Sequence, residues 1–165
     1  MDYPFHVQDD ELLKCVGRIS VNFSALEHIV TMFIVILTAE TDSHPIYIVA
    51  VQLPFRTKLA VLVSLCTLKI KDPKRLESVI DIITKLSDLE TSRNTYIHSF
   101  WDLDESKRVL RIKSYSHPQK GFKRGETVVD LKELNAFAER TKSFGLQLMN
   151  KWGEYLELLK QGKQP

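Results

Sequence analysis

The chain contains 165 residues, of which 44% are hydrophobic and 27% are charged. A chain of this length forms one domain with a core of its own, and its composition is ordinary for a soluble globular protein. The formal net charge of +2 does not by itself indicate a nucleic-acid-binding protein, so the local distribution of charge matters more.

The start of the chain and its most apolar stretch bear on location. Residues 1–6 lack a basic segment followed by an apolar run, so we expect no secretory signal peptide. The most apolar stretch, residues 29–37, is too short to span a bilayer and is expected to be a buried helix or a subunit interface. Cys15 and Cys66 lie inside apolar helical patterns without metal-ligand spacing, which favours buried thiols. We therefore expect a cytoplasmic protein without membrane contact.

The first predicted helix runs from about residue 11 to about residue 39, after a loose arm over residues 1–8. Acidic residues at 9–11 favour a helix start there, because the helix dipole stabilises negative charge at its N-terminus. The second half of this helix is apolar around its whole circumference, which indicates that a second surface covers it, such as that of a second subunit. The core-facing positions are Leu12, Val16, Ile19, Phe23, Leu26, Val30, Phe33 and Leu37.

The middle of the chain predicts two further helical regions. The first covers residues 45–70 and should kink or break at Pro54, because proline lacks the backbone N–H that a helix interior needs. The next covers residues 73–100 and begins behind Asp72, a favourable N-cap residue. Arg56 and Lys58 are interpreted as surface charges, with contact to a bound phosphate as the alternative.

The last part of the chain changes its pattern. Two short strands, at 109–113 and 127–130, predict a β-hairpin over residues 105–130, and a fourth helix covers residues 131–159 before a loose tail at 160–165. We therefore predict one all-α domain over residues 1–165. Its fold would be an antiparallel four-helix bundle with a small β-hairpin inserted between helices three and four.

The predicted hairpin carries a local basic patch on a nearly neutral chain. Seven basic residues and no acidic residue lie between residues 107 and 124, interleaved with the rings of Tyr115, His117 and Phe122. One interpretation is a solvated, mobile hairpin; the other is contact with an RNA backbone, with the rings stacking on unpaired bases. The basic residues are Lys107, Arg108, Arg111, Lys113, Lys120, Lys123 and Arg124.

The run Arg93-Asn94-Thr95-Tyr96-Ile97-His98 lies late in the third predicted helix. On a helix at about 100° per residue, Arg93 falls in the middle of the apolar stripe, while Asn94 and His98 lie on its flank. A guanidinium on a core-facing stripe is costly unless it has a partner or meets a wet cleft. Glu27 on the first helix is one candidate partner for Arg93. The alternative is that Glu27 is a solvated residue on the flank of its helix.

This run resembles the Arg-x4-His motif of the HEPN family (higher eukaryotes and prokaryotes nucleotide-binding), in which a polar residue often follows the arginine. The resemblance implies a metal-independent endoribonuclease that needs no cofactor, with its site composed at a homodimer interface. Arg93 would stabilise charge at the phosphate, His98 would act as general acid or base, and Asn94 would orient, with Tyr96 and Glu27 in supporting roles. Such domains serve as toxins or anti-phage defence effectors, so RNA and a cognate antitoxin or activating protein are expected partners.

Two alternatives stay open at this point. The first is a non-catalytic HEPN-like dimer that binds RNA, a nucleotide or a partner protein. The second is a purely structural helical dimer in which Arg93 pairs internally with Glu27. A dimer would also resolve a geometric difficulty, because Arg93 and His98 lie about 140° apart around one helix and do not converge on one phosphate.

Overall fold

The computed structural model describes residues 9–38, 43–117 and 121–160. This part of the chain is mostly helical, as predicted, with a small antiparallel sheet before the last helix. The predicted arm at residues 1–8 and most of the predicted tail lie outside the described residues. The helices are α1 (Asp10–Thr38), α2 (His44–Gln52), α3 (Phe55–Lys69), α4 (Pro73–Ile97) and α5 (Leu131–Lys160), and the strands are β1 (Phe100–Leu103), β2 (Val109–His117) and β3 (Gly121–Val128).

Aspartate side chains begin the three long helices. The Asp9 carboxylate accepts two backbone N–H groups of the first turn of α1, both at 3.0 Å. Asp72 accepts two N–H groups of α4, at 2.9 and 3.2 Å, which confirms its predicted role as N-cap. Asp130 accepts one N–H group of α5 at 2.8 Å. Each carboxylate satisfies donors that have no partner inside the helix and favourably meets the positive end of the helix dipole.

The second predicted helical region is broken at Pro54, as expected. Leu53 and Pro54 are extended, with ψ angles of 139° and 147°, and they separate α2 from α3. The proline ring removes an N–H group that a continuous helix would use, and it disfavours helical geometry at the preceding residue. The described chain therefore contains five helices where the sequence pattern predicted four regions.

Helix α1 is the centre of the fold, since α2, α3, α4 and α5 all pack against it. Its predicted core-facing positions are buried except for the half-buried Val16. Part of the outer face of its second half is covered within the same chain: α2 lies against α1, and Ile34 and Val35 are only 3% exposed. Ile36 of α1 is still 37% exposed, so coverage of this face by a second subunit stays a prediction.

Helix α1 is also long and apolar enough to cross a membrane by length and composition. Residues 29–37, which are too short to span a bilayer, are only the most apolar part of this 29-residue helix. Within the fold, 44% of the most apolar window of α1 is buried, and core helices of soluble proteins meet the same criterion.

The predicted two-stranded hairpin is a three-stranded antiparallel sheet of order β1-β2-β3. The missed strand is β1, which pairs with β2 from Phe100 opposite Ile112 to Leu103 opposite Val109. The predicted third helix to Phe100 was therefore too long, because α4 ends at Ile97. The period of two explains the strand: Trp101 and Leu103 are half-buried, whereas the residues between and before them are exposed.

Cys15 and Cys66 are both buried and unpaired, which confirms the prediction of buried thiols. Burial raises the pKa of the Cys66 thiol to about 11. Because the thiolate is the reactive form, Cys66 is chemically inert at neutral pH. The core therefore uses both residues as small apolar side chains.

Replacement of Gly145 by alanine should stabilise the fold. Gly145 is buried in the middle of α5, and a Cβ atom there would lie 3.5 Å from Ile29 Cδ1 and 3.8 Å from Leu26 Cδ1 on α1. These are ordinary van der Waals distances, so Gly145→Ala should raise the free energy of unfolding by about 0.5–1 kcal/mol in urea denaturation. Gly153→Ala, with nothing within 4 Å of the new Cβ atom, is the matched control for helix propensity alone. A less stable Gly145→Ala beside a stabilised control would contradict this packing of α1 on α5.

Candidate functional site

Arg93 lies in the last part of α4 and points its half-buried side chain toward α1. Its Cζ atom is 5.2 Å from the centroid of the Phe23 ring, and the Phe23 ring in turn packs on Phe55 of α3 at 4.8 Å. Its Nη1 donates to the amide oxygen of Asn94 at 2.9 Å. The Nε–H group is buried and has no hydrogen-bond partner in the described part of the chain. The arginine predicted to lie on the core stripe is therefore held by a ring and an amide.

The carboxylates near Arg93 are paired with other cations. Glu27 accepts from Lys58 Nζ at 2.7 Å, and Glu90 accepts from Arg56 Nε at 3.2 Å. The expected pair of Glu27 with Arg93 was wrong, and so was the interpretation of Lys58 as a surface charge, because the Lys58 side chain is only 3% exposed. The prediction failed because a buried ammonium needs a carboxylate more than a guanidinium that rests on an aromatic ring does.

These pairings leave the charge of Arg93 unneutralised. Each of the two neighbouring carboxylates is matched by its own cation, and Arg93 forms no ion pair within the described residues. A guanidinium offers five N–H donors in a fixed plane, and here one donor is used and another is buried without an acceptor. An oxyanion such as a phosphate would supply the missing charge and would accept from the guanidinium N–H groups that are not buried, whereas the Nε–H group is closed to solvent.

Asn94 orients Arg93 and not the histidine. Its side-chain oxygen accepts from the Arg93 guanidinium, and its backbone oxygen accepts from the N–H of His98 at 3.2 Å. In the structure the Asn94 amide therefore contacts Arg93 and forms no hydrogen bond to the His98 imidazole. The Asn94 side chain thus holds the guanidinium, and its backbone oxygen accepts the hydrogen bond that ends α4.

His98 is the C-cap residue of α4, and its side chain is exposed. No hydrogen bond from its imidazole is made to any residue that the structure describes. Arg93 packs against Phe23 of α1, whereas His98 lies just beyond the end of α4 and is exposed. No hydrogen bond joins the two side chains.

Tyr96 ties the end of α4 to the sheet and to α5. Its hydroxyl donates to Glu133 Oε1 at 3.0 Å, and its ring meets the Phe137 ring edge-on at 5.2 Å. Its backbone oxygen accepts from the indole N–H of Trp101 at 3.1 Å. Burial and then the hydrogen bond to Glu133 raise the pKa of Tyr96, so it is a neutral donor at physiological pH. Its supporting role is thus to hold the helix turn that carries Arg93 and His98.

The predicted basic patch does not form one surface. Partners across antiparallel strands share a face of the sheet, and successive residues alternate between faces. The register places Arg111, Lys113 and Lys123 on one face, because Lys123 is opposite Tyr115, and places Arg124 on the other face opposite Ser114. Lys120 and the side chains of Tyr115 and His117 lie outside the described part of the chain.

Two of the basic residues are neutralised by acids just outside the acid-free window. Arg108 pairs with Asp104 at 2.6 Å, and Arg124 pairs with Glu126 at 3.0 Å. Lys107, Lys113 and Lys123 are exposed, and Lys107 has a positive φ of 59° in the turn between β1 and β2. Counting charge over residues 107–124 therefore overstated the positive potential of the sheet.

Arg111 differs from the other basic residues because it is half-buried. Its Nη2 lies 3.4 Å from Thr127 Oγ1, and its Nε–H group is buried without a partner. Arg93 and Arg111 are the two described residues whose buried side-chain N–H groups have no acceptor. Both guanidinium groups are therefore only partly satisfied by the described part of the chain.

Sequence reasoning missed Lys58 and Glu133 as partners of the site. A signal for Lys58 existed: it falls at helical spacing with Phe55, Leu59 and Leu62, which are all buried. Glu133 had no comparable signal, because it is an exposed residue of α5. Its contact with Tyr96 depends on how the sheet places α5 beside the end of α4.

Comparison of the chain with protein-family models, with curated proteins and with solved structures finds no match. Among residues 9–38, 43–117 and 121–160, no three His, Cys, Asp or Glu side chains form a cluster that could hold a metal ion. The chemistry of the site is therefore argued from Arg93 and its surroundings.

The pair of Lys58 and Glu27 should respond asymmetrically to mutation. Glu27→Gln leaves a buried ammonium without its counter-charge and should lower the free energy of unfolding by about 1–3 kcal/mol. Lys58→Met fills the same space and leaves only Glu27, which is 38% exposed and can be hydrated, so the change should stay below about 1 kcal/mol. Urea denaturation measures both.

The control for this pair is Glu90→Gln, whose partner Arg56 is 69% exposed. Its effect should stay below about 1 kcal/mol, as is typical of pairs that reach solvent. A larger loss for Lys58→Met than for Glu27→Gln would contradict the buried position of the ammonium.

Proposed function

We propose that this chain is a HEPN-type, metal-independent endoribonuclease whose active site is completed in a homodimer. The observation that carries the proposal is the state of Arg93. Its guanidinium is half-buried, is neutralised by no carboxylate in the described residues, has a buried N–H group without an acceptor, and precedes an exposed histidine by five residues. A phosphodiester fits this environment because it supplies a negative charge and planar acceptor geometry.

The proposed reaction requires two groups from the protein. The ribose 2′-oxygen attacks the adjacent phosphorus, the bond from phosphorus to the 5′-oxygen breaks, and a 2′,3′-cyclic phosphate and a 5′-hydroxyl result. His98 removes the proton of the 2′-hydroxyl or delivers a proton to the leaving 5′-oxygen, and the second copy of His98 in a dimer supplies the other transfer. Arg93 stabilises the additional negative charge on the pentacoordinate phosphorus. Asn94 holds the guanidinium in its plane.

A homodimer supports this chemistry because Arg93 packs on Phe23 of α1 whereas His98 is exposed at the C-cap of α4, so a second copy can bring the complementary group. The surface that best suits a second copy is α2, which contains no Asp, Glu, Lys or Arg. A two-fold interface places residues near the axis beside their own copies, so an uncharged apolar helix meets no like-charge repulsion there. The exposed apolar side chains of α2 are Tyr47, Ile48, Val49 and Val51.

Charge on α2 should dissociate this dimer. Ile48 and Val49 are 64% and 61% exposed, so the double change Ile48→Lys, Val49→Lys should yield a monomer that is still folded. Sedimentation velocity gives the mass, and circular dichroism gives the fold. Leu68→Lys is the matched control, because Leu68 is equally exposed at 64% but lies on α3. A wild-type monomer, or a dimer that survives the double change, would refute this interface.

Cleavage of single-stranded RNA in EDTA tests the activity itself. We expect wild-type protein to leave 2′,3′-cyclic phosphate ends, and we expect Arg93→Ala and His98→Ala to lose at least about a hundredfold in rate, the usual scale of one catalytic group. His28→Ala and Arg75→Ala are matched controls, since both residues are exposed and lie away from the last turn of α4. Equal cleavage by wild type and both site variants would eliminate the mechanism.

A second candidate function is a HEPN-like dimer that binds RNA, a nucleotide or a partner protein without cleavage. The observation that favours it is the His98 imidazole, which no group in the described chain orients. Lys113 and Lys123, which form no ion pair within the described residues and lie on one face of the sheet with Arg111, would then carry the binding. The same assay distinguishes the two functions, because this candidate binds RNA in a salt-dependent manner and leaves it intact.

A further inference from the structure

A groove lies between α4 and α5, on the side of α4 away from Asn94 and Glu90. Its volume is about 290 Å³, near the lower end of the range for small-molecule sites. Lys85, Asp88, Leu89 and Ser92 of α4 form one wall, and Arg140 and Phe144 of α5 form the other. Ser92, the last groove residue of α4, directly precedes Arg93. The residues that contact the Arg93 guanidinium do not line the groove.

The groove holds two opposite charges that the protein does not pair. Lys85 is bound to Asp81 of its own helix. Asp88 and Arg140 face the same space from opposite walls, yet neither forms an ion pair within the described residues. Arg140 instead rests on the Phe137 ring, with Cζ 5.4 Å from the ring centroid. Asp88 and Arg140 are both exposed to water, and a ligand that offers N–H donors to Asp88 and an anion to Arg140 would replace that water with direct contacts.

A nucleotide offers both an anion and N–H donors, and its base can in addition pack against an aromatic ring of the groove. A phosphate suits the guanidinium of Arg140, and the half-buried Phe144 gives a base an apolar ring to pack against. An aspartate carboxylate only accepts hydrogen bonds, with two oxygens side by side. Guanine presents two adjacent N–H groups on its Watson–Crick edge, whereas uracil presents one N–H between two carbonyl oxygens, which a carboxylate would repel.

We infer that the groove between α4 and α5 binds a guanine nucleotide, with its phosphate on Arg140, its base on Phe144 and its N–H donors on Asp88. Free guanine nucleotide and a guanosine residue within RNA share this chemistry. Only the RNA source rests on the proposed ribonuclease function, in which the groove would select the base next to the cleaved bond.

Equilibrium binding tests the groove without reference to cleavage. Fluorescently labelled guanosine 5′-monophosphate and uridine 5′-monophosphate are titrated with wild-type protein, Asp88→Asn and Arg140→Gln. We expect guanosine to bind at least about tenfold more tightly than uridine, and we expect Asp88→Asn to remove that preference. Arg140→Gln should weaken both nucleotides about equally. Glu77→Gln is the matched control, because Glu77 is an exposed carboxylate of the same helix that lies outside the groove and pairs with no groove residue, and it should bind as wild type does.

A second arm distinguishes the two sources. Labelled 2′-O-methyl oligonucleotides with one guanosine or none replace the mononucleotides, so that cleavage plays no part. If the guanosine preference depends on Asp88 and is found with the oligonucleotides but not with the mononucleotides, RNA is the source. If it is found with the mononucleotides but not with the oligonucleotides, the source is a free nucleotide. If Asp88→Asn matches wild type in both arms, or neither arm prefers guanosine, the inference is overturned. If wild-type protein shows the guanosine preference but does not cleave RNA, the proposed function is overturned and the groove assignment stands.

Discussion

The position of one positive charge governs the site. Arg93 lies on the face of α4 that also packs the core, and its guanidinium rests on Phe23 instead of on a carboxylate. Burial of a charged group without an opposite charge is tolerated only where a ring, an amide or an outside anion compensates it. The structure provides the ring and the amide of Asn94, and one buried N–H group stays open for an acceptor.

The surrounding fold keeps that charge in place. Helix α1 contacts all the other helices, so it fixes Phe23 against both α3 and α4. Glu27, the carboxylate that the sequence offered as a partner for Arg93, is paired with Lys58 instead. On the other side, Tyr96 joins the last turn of α4 to α5 through Glu133 and to β1 through Trp101. The packing of Phe23 and the contacts of Tyr96 thus both fix the last turns of α4, which carry Arg93.

Local patterns predicted the features that depend on one element. The core stripe of α1, the N-cap Asp72, the break at Pro54 and the burial of Cys15 and Cys66 follow from periodicity and backbone chemistry, and the structure confirms them.

Features that depend on two elements could not be predicted from local patterns. The partner of Glu27 depends on which helix faces it, and the coverage of α1 depends on how α2 folds back over it. The strand β1 was missed because Phe100 also continues the helical period of α4. The division of the basic residues between two faces needed the strand register.

The most direct test of the account is the arginine Nε–H region of a ¹⁵N-edited NMR spectrum, with assignment by Arg93→Lys. A 2′-O-methyl RNA that cannot be cleaved is added to the protein. The account predicts that the Arg93 Nε–H proton exchanges slowly with water in the free protein, because it is buried, and that its resonance shifts on binding. A shift of exposed arginines such as Arg124 beside an unchanged Arg93 would contradict the assignment of Arg93 as the phosphate-binding residue.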